Sequence, residues 1–130
     1  MIVISFGTFD LMHIGHLNML NRCKNYGDTL IVGVSSDSLN YEKKQRLPVF
    51  NEKNRMELIK NLKCVDEVFL EESLEKKREY IKKYNADVFI IGDDWKGKFD
   101  DLNDICTVIY LERTRDISTT SIIHNIKMYL

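Results

Sequence analysis

The sequence is poor in the residues that interrupt or crosslink a chain. Its 130 residues include one proline, six glycines and three cysteines. Because Cys23, Cys64 and Cys106 are far apart, the sequence has no Cys-x-x-Cys pair and no even set for disulfides, and we expect reduced thiols. The apolar run that follows Met1 is too short for a signal peptide or a spanning helix, which needs about 20 residues. We therefore expect a cytoplasmic protein with no membrane partner.

The chain also lacks an excess of charge of either sign. Nineteen Lys and Arg residues oppose twenty Asp and Glu residues, for a formal net charge of -1. This balance provides no general attraction to nucleic acid, and we predict no nucleic-acid partner. Basic side chains nevertheless outnumber acidic ones between residues 42 and 85. An anionic ligand would therefore have to be recognised locally, by a small group of side chains.

The length and composition are typical of one compact domain, which we place at residues 1–130. Short β-branched and aromatic runs alternate with segments of helical spacing. The pattern predicts strands over 2–6, 29–34, 65–70, 88–91 and 107–111, helices that begin at Asn51 and Ser118, and a helix over 73–84. Residues 35–50 contain the single proline and are predicted as a long mobile loop. Strands that alternate with helices indicate an α/β fold with a parallel sheet covered on both faces.

The most distinctive residues come directly after the first predicted strand. Gly7-Thr8-Phe9-Asp10 ends this strand, and His13-Ile14-Gly15-His16 opens the helix that follows. The two glycines let a ligand approach the backbone, and the free N–H groups and dipole of a helix start favour anions. The two imidazoles, three residues apart, lie on one side of the same turn. The pattern predicts a cradle for a polyphosphate, with a simple helix cap or a metal site as the alternative.

Two segments about 100 residues apart carry a resemblance to one family. The run from Gly7 to His16 resembles the first signature of the cytidylyltransferase-type nucleotidyltransferases. Its last four residues also match a motif of class I aminoacyl-tRNA synthetases. The run from Arg113 to Thr120 resembles the second signature, in which an arginine and a Ser/Thr-rich helix start hold the nucleotide phosphates. This resemblance implies a Rossmann-like three-layer α/β fold with a central parallel five-stranded sheet, as in the nucleotidyltransferase/HIGH superfamily.

A third segment, Gly92 to Asp100, resembles a loop of the small bacterial glycerol-3-phosphate cytidylyltransferases within that family. The resemblance implies an enzyme that transfers CMP from CTP to glycerol 3-phosphate by direct in-line displacement, releasing pyrophosphate and making CDP-glycerol for teichoic acid or capsule. It also implies Mg²⁺ on the triphosphate and a homodimer. The alternatives are a different phosphorylated acceptor and a non-catalytic nucleotide-binding regulatory protein.

The resemblance also assigns roles to individual side chains, none of them as a metal ligand. The expected catalytic residues are His13, His16, Lys43 and Arg113. The residues expected to contact the nucleotide are Gly7, Thr8, Phe9, Asp10, His13, Gly15, His16, Lys63, Asp94, Arg113, Thr114, Ile117, Ser118, Thr119 and Thr120. The residues expected to contact the acceptor are Lys43, Lys44, Arg46, Arg55 and Lys77.

Several of these assignments compete with purely structural roles. Asp10 is as well suited to bracing its loop as to catalysis, and Asp94 to forming a turn. Arg55 either braces the site or contacts phosphate. The sequence departs from the family pattern at Lys63, where an arginine is expected, and at Leu74, where a tryptophan is expected. Both departures concern the nucleotide and acceptor sides, so they leave room for a different phosphorylated alcohol.

Overall fold

The computed structural model describes Met1 to Leu130 and contains one five-stranded, all-parallel sheet. Its strands are β1 (Ile2–Gly7), β2 (Thr29–Ser35), β3 (Glu67–Glu71), β4 (Val88–Gly92) and β5 (Thr107–Leu111). Their spatial order is β3-β2-β1-β4-β5. Helices lie on both sides of the sheet, so the predicted Rossmann-like three-layer fold is confirmed.

Five α-helices accompany these strands. They are α1 (Ile14–Lys24), α2 (Asp37–Lys44), α3 (Glu52–Lys60), α4 (Lys77–Lys83) and α5 (Thr119–Tyr129). Short 3₁₀ helices at Leu74–Lys76, Asp93–Trp95 and Asp100–Asp104 complete the regular structure. No helix is long and apolar enough to span a membrane.

The apolar runs form strands because side chains on both faces of the sheet are buried, in two separate cores. One core joins strand residues such as Val3 and Val32 to Leu20 of α1 and Ile59 of α3. The other joins strand residues such as Phe89 to Ile81 of α4 and to Leu102. Burial of each large aliphatic side chain contributes about 1.5–3 kcal/mol. A strand buried on both faces therefore reads as a continuous apolar run, as the sequence indicated.

The predicted mobile loop over residues 35–50 is wrong, because half of it is helix α2. The Ser36 side chain caps this helix by accepting a hydrogen bond from the Leu39 N–H at 3.0 Å. Asp37 lies in its first turn and Lys43 and Lys44 in its last turn, as the helix dipole favours. These capping signals were present in the sequence, but the proline at position 48 concealed them. Two smaller differences are that β3 begins at Glu67 and that the helix expected over 73–84 is regular only over Lys77–Lys83.

The predicted helix starts at Asn51 and Ser118 are confirmed as N-caps of α3 and α5. The position of the remaining loops follows from the strand order. The chain moves outward from β1 through β2 to β3, then returns to the other side of β1 with β4 and β5. Ligands of such open sheets bind outside the carboxyl ends of the strands, at the point where the order reverses. Here that point lies between β1 and β4.

Candidate active site

A cavity of about 780 Å³ opens at this point, at the carboxyl ends of the strands. Each strand contributes to its wall, either with its own last residues or with the loop that follows. All but two of the twenty predicted site residues line the cavity. They are Gly7, Thr8, Phe9, Asp10, His13, Gly15, His16, Lys43, Lys44, Arg46, Lys77, Asp94, Arg113, Thr114, Ile117, Ser118, Thr119 and Thr120.

The two histidines are fixed by reciprocal capping of helix α1. The Nδ1 atom of His13 accepts a hydrogen bond from the Gly15 N–H at 3.0 Å, and Nδ1 of His16 accepts one from the His13 N–H at 3.2 Å. Because Nδ1 is an acceptor in both rings, the proton of each neutral imidazole is on Nε2. The rings stack with their centroids 3.8 Å apart. The cap therefore fixes two Nε2–H donors side by side.

Both imidazoles are held in the neutral form. Burial lowers the pKa of His16 to about 4, with further lowering by the neighbouring His13 and by Arg113. Burial and Arg113 also lower the pKa of His13. At neutral pH the pair therefore acts through hydrogen-bond donation, and the positive charge at this end of the cavity comes from Arg113.

The space that a side chain at position 15 would need is occupied by the ring of His13. A Cβ atom added at position 15 would lie 2.8 Å from Cε1 and 2.9 Å from Nδ1 of the His13 ring. These separations are far below an ordinary carbon contact, so any larger residue would displace the imidazole. Gly15 therefore allows His13 to keep its position and also keeps the start of the helix accessible.

We expect Gly15→Ala to lower kcat by about 10-fold or more, because small displacements of an active-site donor have large effects on rate. The measurement is turnover of the purified variant beside Ile14→Ala, which alters an exposed neighbour in the same turn. A Gly15→Ala enzyme as active as the Ile14→Ala enzyme would show that the position of His13 is not critical.

Asp10 braces the site through its carboxylate. This carboxylate is buried and accepts hydrogen bonds from the N–H groups of Leu11, Val49 and Phe50 at 2.7 to 3.0 Å. Its carbonyl oxygen accepts a further bond from Thr119 Oγ1 at 2.8 Å. The contacts of Asp10 are therefore those of the loop-bracing alternative, and they tie the turn after β1 to the segment before α3 and to the start of α5.

The two predicted residues outside the cavity wall are Arg55 and Lys63. Arg55 is completely buried beneath the site. Its guanidinium donates to the carbonyl oxygens of Thr8, Ser35 and Phe50 and pairs with the Asp37 carboxylate at 2.7 Å. These contacts match the bracing alternative for Arg55, because they join the loop after β1 to the end of β2, the start of α2 and the segment before α3.

Arg113 lies in the loop after β5 and is positioned by helix α1. Asn18 and Arg22 lie one turn apart on this helix. Asn18 donates a hydrogen bond to Thr114 Oγ1 at 3.2 Å, and Arg22 donates one to the Glu112 carbonyl at 2.6 Å. The Arg113 guanidinium forms a two-point pair with the Asp94 carboxylate, at 3.2 and 2.9 Å. Both side chains are about half exposed, so the pair adds little stability. Because the Arg113 guanidinium is held only by this exposed pair, an incoming phosphate can compete for it.

The start of helix α5 closes the same end of the cavity. A capping box between Ser118 and Ser121 forms this start, with hydrogen bonds of 2.9 and 3.0 Å. The Ser118 and Thr119 hydroxyl groups are therefore engaged within the protein, by Ser121 and by Asp10 respectively. The backbone N–H groups and the dipole of the helix start are the features that favour an anion here.

Lysine side chains line the opposite end of the cavity. Lys43 and Lys44 come from the last turn of α2, Lys77 begins α4, and Arg46 lies between α2 and α3. Burial lowers the pKa of Lys43, and Glu71 acts in the opposite direction. The side chain of Leu74 lines the same end. This end of the cavity thus combines several cations with one aliphatic side chain where the family pattern has an aromatic.

Four polar residues of the cavity wall were missed from the sequence: Ser5, Ser35, Asn40 and Glu71. Asn40 is buried, accepts from Thr8 Oγ1 at 2.7 Å, and donates to the carbonyl of Ser36 at 2.9 Å. It thereby holds α2, and with it Lys43, against the end of β1. Ser35 and Glu71 are the last residues of their strands, so the rule that ligands bind at strand ends would have found them.

No group of three or more His, Cys, Asp or Glu side chains could hold a metal ion. The carboxylates in the cavity wall are each paired: Asp10 with backbone N–H groups, Glu71 with Lys77, and Asp94 with Arg113. The residues present therefore do not form a cation site of their own.

The fold and the cavity define the chain as an α/β nucleotide-binding protein with phosphate-binding groups at the strand ends. The model of the cytidylyltransferase-like family matches residues 4–125. The chain belongs to this family.

Relatives of similar length carry a more specific name. The chain is 47% identical over 120 residues to a glycerol-3-phosphate cytidylyltransferase of Bacillus subtilis, covering 92% of each chain. It is 42% identical to the Staphylococcus aureus protein of the same name, covering 92% of this chain and 90% of that one. Among solved structures, the crystal structure of the lipopolysaccharide core biosynthesis protein from Thermoplasma volcanium matches with a TM-score of 0.75 and 27% identity, over 88% of this chain and 98% of that one.

Proposed function

We propose that this protein is a CTP:glycerol-3-phosphate cytidylyltransferase, which transfers CMP from CTP to glycerol 3-phosphate and releases pyrophosphate. The observation that carries the proposal is the pair of neutral imidazoles with both Nε2–H groups free, beside Arg113 and the start of α5. Relatives with this name cover the same length of chain at 42 to 47% identity. The product, CDP-glycerol, would serve the synthesis of a surface polymer such as teichoic acid or capsule.

The proposed reaction is a direct displacement at the α-phosphorus of CTP. An oxygen of the acceptor phosphate attacks, the bond to the β-phosphate breaks, and pyrophosphate leaves with the electron pair. Because the acceptor phosphate is already ionised at neutral pH, the nucleophile needs no general base. The protein's task is to place the two phosphates in line and to stabilise the charge that develops on the transferred phosphoryl group.

Different side chains along the cavity would contact different phosphate groups of the two substrates. His13 and His16 would donate hydrogen bonds from Nε2 to phosphate oxygens at the reaction centre. Arg113 and the N–H groups of the α5 start would bind the leaving pyrophosphate, since a guanidinium offers a two-point fork to phosphate. Lys43 and Lys77 would bind the phosphate of the acceptor. Neutral donors suit the centre, because they stabilise developing charge without binding the ground-state phosphate as strongly as a cation.

Mg²⁺ enters this proposal as the partner of CTP. Because the cavity carboxylates are already paired, the ion would be held by the triphosphate oxygens, where it would neutralise charge on the leaving group. We further propose that the enzyme is a cytoplasmic homodimer, in line with the family resemblance.

The purified protein, incubated with CTP, Mg²⁺ and glycerol 3-phosphate, is expected to release pyrophosphate and form CDP-glycerol. Coupled pyrophosphate detection measures the rate, and chromatography of the nucleotide products identifies the compound. ATP in place of CTP is the matched control for the nucleotide. Pyrophosphate release no faster than without acceptor would contradict the proposal, and it would favour a nucleotide-binding regulatory protein if CTP still binds.

Leu74 lines the lysine-rich end of the cavity and is the reason to test other acceptors. An aliphatic side chain here leaves more room than the tryptophan of the family pattern. The same assay therefore compares glycerol 3-phosphate with other polyol phosphates and with phosphoethanolamine by kcat/KM. A higher kcat/KM for another acceptor would mean that the enzyme catalyses the same reaction with that acceptor as its preferred substrate.

A further inference from the structure

Glu71 is a carboxylate buried in the wall of the cavity at its lysine-rich end. It is the last residue of β3, and only 1% of its surface is exposed. One carboxylate oxygen accepts a hydrogen bond from Ser35 Oγ at 3.1 Å, and the other pairs with Lys77 Nζ at 2.5 Å. Lys77 is buried almost as completely. Removing two charges from water costs several kcal/mol for each ion, so stability alone does not account for this pair.

The pair fixes the position of the Lys77 ammonium. Besides Glu71, the ammonium faces aromatic rings: it lies 4.3 Å from the centroid of Phe6 and 5.4 Å from that of Phe99. The ring faces attract a cation but do not supply a counter-ion. Glu71 is therefore the one anionic partner that holds this ammonium at the cavity wall.

The other charged groups near the pair are cations from two elements. Lys43 of α2 faces both Glu71 and Lys77, and Lys44 of α2 and Arg55 of α3 lie near Lys43 in turn. Burial lowers the pKa of Lys77, and Glu71 opposes this effect. Glu71 also opposes the lowering of the pKa of Lys43 by burial. One buried carboxylate thus supports the charge of two lysines at the end of the cavity assigned to the acceptor.

We propose that Glu71 is a positioning residue for the acceptor phosphate: its ion pair fixes Lys77 as a cation at the lysine-rich end of the cavity. This inference rests on the proposed function, because it concerns the site at which the acceptor binds. Both carboxylate oxygens of Glu71 are engaged by Ser35 and Lys77, and an anion would repel a phosphate, so Glu71 acts through Lys77. The acceptor class that follows is a small phosphate monoester, whose two negative charges match the lysines of this end.

Glu71→Gln tests the proposal because it keeps the size of the side chain and removes its charge. Without the carboxylate, the pKa of Lys77 falls, so the ammonium loses its proton at a lower pH. An opposite charge at this distance shifts a pKa by about 1–3 units. We therefore expect the rise of the acceptor KM at alkaline pH to begin about 1–3 pH units lower than in the wild type, with the KM for CTP unchanged.

The matched control is Glu72→Gln, which removes an exposed carboxylate from the next residue. It should leave the pH dependence of both KM values at that of the wild type. Glu71→Asp, which restores the charge, should return the acceptor profile toward the wild type. The proposal is overturned if the Glu71→Gln profile coincides with that of Glu72→Gln, or if the KM for CTP rises in parallel with that for the acceptor.

A measurement without turnover separates this inference from the proposed function. Protein labelled with ¹³C at lysine Cε gives a Lys77 resonance that is assigned by its loss in Lys77→Arg. We expect this resonance to titrate at a lower pH in Glu71→Gln than in Glu72→Gln, and to shift when glycerol 3-phosphate is added without CTP. If both results hold while the wild type makes no CDP-glycerol, the proposed reaction fails and the role of Glu71 stands. A Lys77 resonance that glycerol 3-phosphate does not move overturns the inference itself.

Discussion

Replacing His16 by alanine is expected to lower kcat about 10²-fold or more, which is the usual effect of removing one preorganised donor from a developing oxyanion. His16 is held by Phe9 at an edge-to-face ring distance of 5.4 Å and by the N–H of His13. Its Nε2–H is thus fixed before substrate binds. Steady-state pyrophosphate release at saturating CTP and acceptor measures the loss.

Two further variants separate the donor from the helix cap. Alanine at position 16 also removes the reciprocal cap of α1, an effect worth about 0.5–2 kcal/mol of stability. Glutamine is a natural residue for this position of a capping box, so His16→Gln keeps the cap and changes the donor. His124→Ala, an exposed histidine outside the cavity, is the control. Near-normal turnover of His16→Ala would exclude a direct role for this imidazole.

The lowered pKa of His16 also determines how this residue affects the stability of the fold as the pH changes. A histidine that is harder to protonate in the folded than in the unfolded state stabilises the fold above its unfolded pKa of about 6.5. This contribution is lost as the pH falls from there toward the folded pKa of about 4. Imidazole resonances of the wild type, assigned with His16→Ala, should show His16 neutral throughout pH 6 to 8. Protonation near pH 6.5 would contradict the neutral-donor mechanism.

Arg55→Ala is expected to destabilise the fold by about 3–5 kcal/mol, the cost of removing one partner from a buried ion pair. The side chain is fully buried, and its loss would remove one donor from each of three backbone carbonyl oxygens and from the Asp37 carboxylate. Urea unfolding followed by circular dichroism measures the change in the free energy of unfolding.

Lys53→Ala is the matched control, because Lys53 is an exposed cation on the same helix. Its free energy of unfolding should stay within about 0.5 kcal/mol of the wild type. Arg55→Lys should fall between the two, since an ammonium keeps the charge but cannot replace the planar fork. An Arg55→Ala protein as stable as the Lys53→Ala protein would show that Arg55 is dispensable for joining the strand-end loops.

The sheet was predictable from the sequence because its strands are buried on both faces and stand out as short apolar runs. Helix α2 was not, because only two of its residues, Leu39 and Asn40, are buried and it has little apolar periodicity. Its Ser36 cap and its charges were visible, but the nearby proline suggested irregular structure. Local signals of this kind decide between helix and loop only when a buried face supports them.

The candidate site shows a similar limit. Motifs placed the imidazoles and Arg113 at one cavity because both signatures follow strands of a parallel sheet. The roles of Asp10 and Arg55 depend on distant hydrogen-bond partners: Val49 is 39 residues from Asp10, and Thr8 and Ser35 are 47 and 20 residues from Arg55. Sequence spacing carries no information about such partners. Glu71 was overlooked because a lone acidic residue at the end of a strand has no motif around it.

The reversal of strand order at β1 has a consequence for how acceptor preference can change. The lysine-rich end is built from the segment between β2 and α4, whereas Arg113, Asp94 and the α5 start come from the segment after β4. In the proposed function the acceptor is thus recognised by one contiguous stretch of the chain, and the nucleotide by residues before and after that stretch. A graft of residues 36–77 from a relative with another acceptor would exchange the acceptor site and leave the segments Gly7 to His16 and Arg113 to Thr120 in their original sequence.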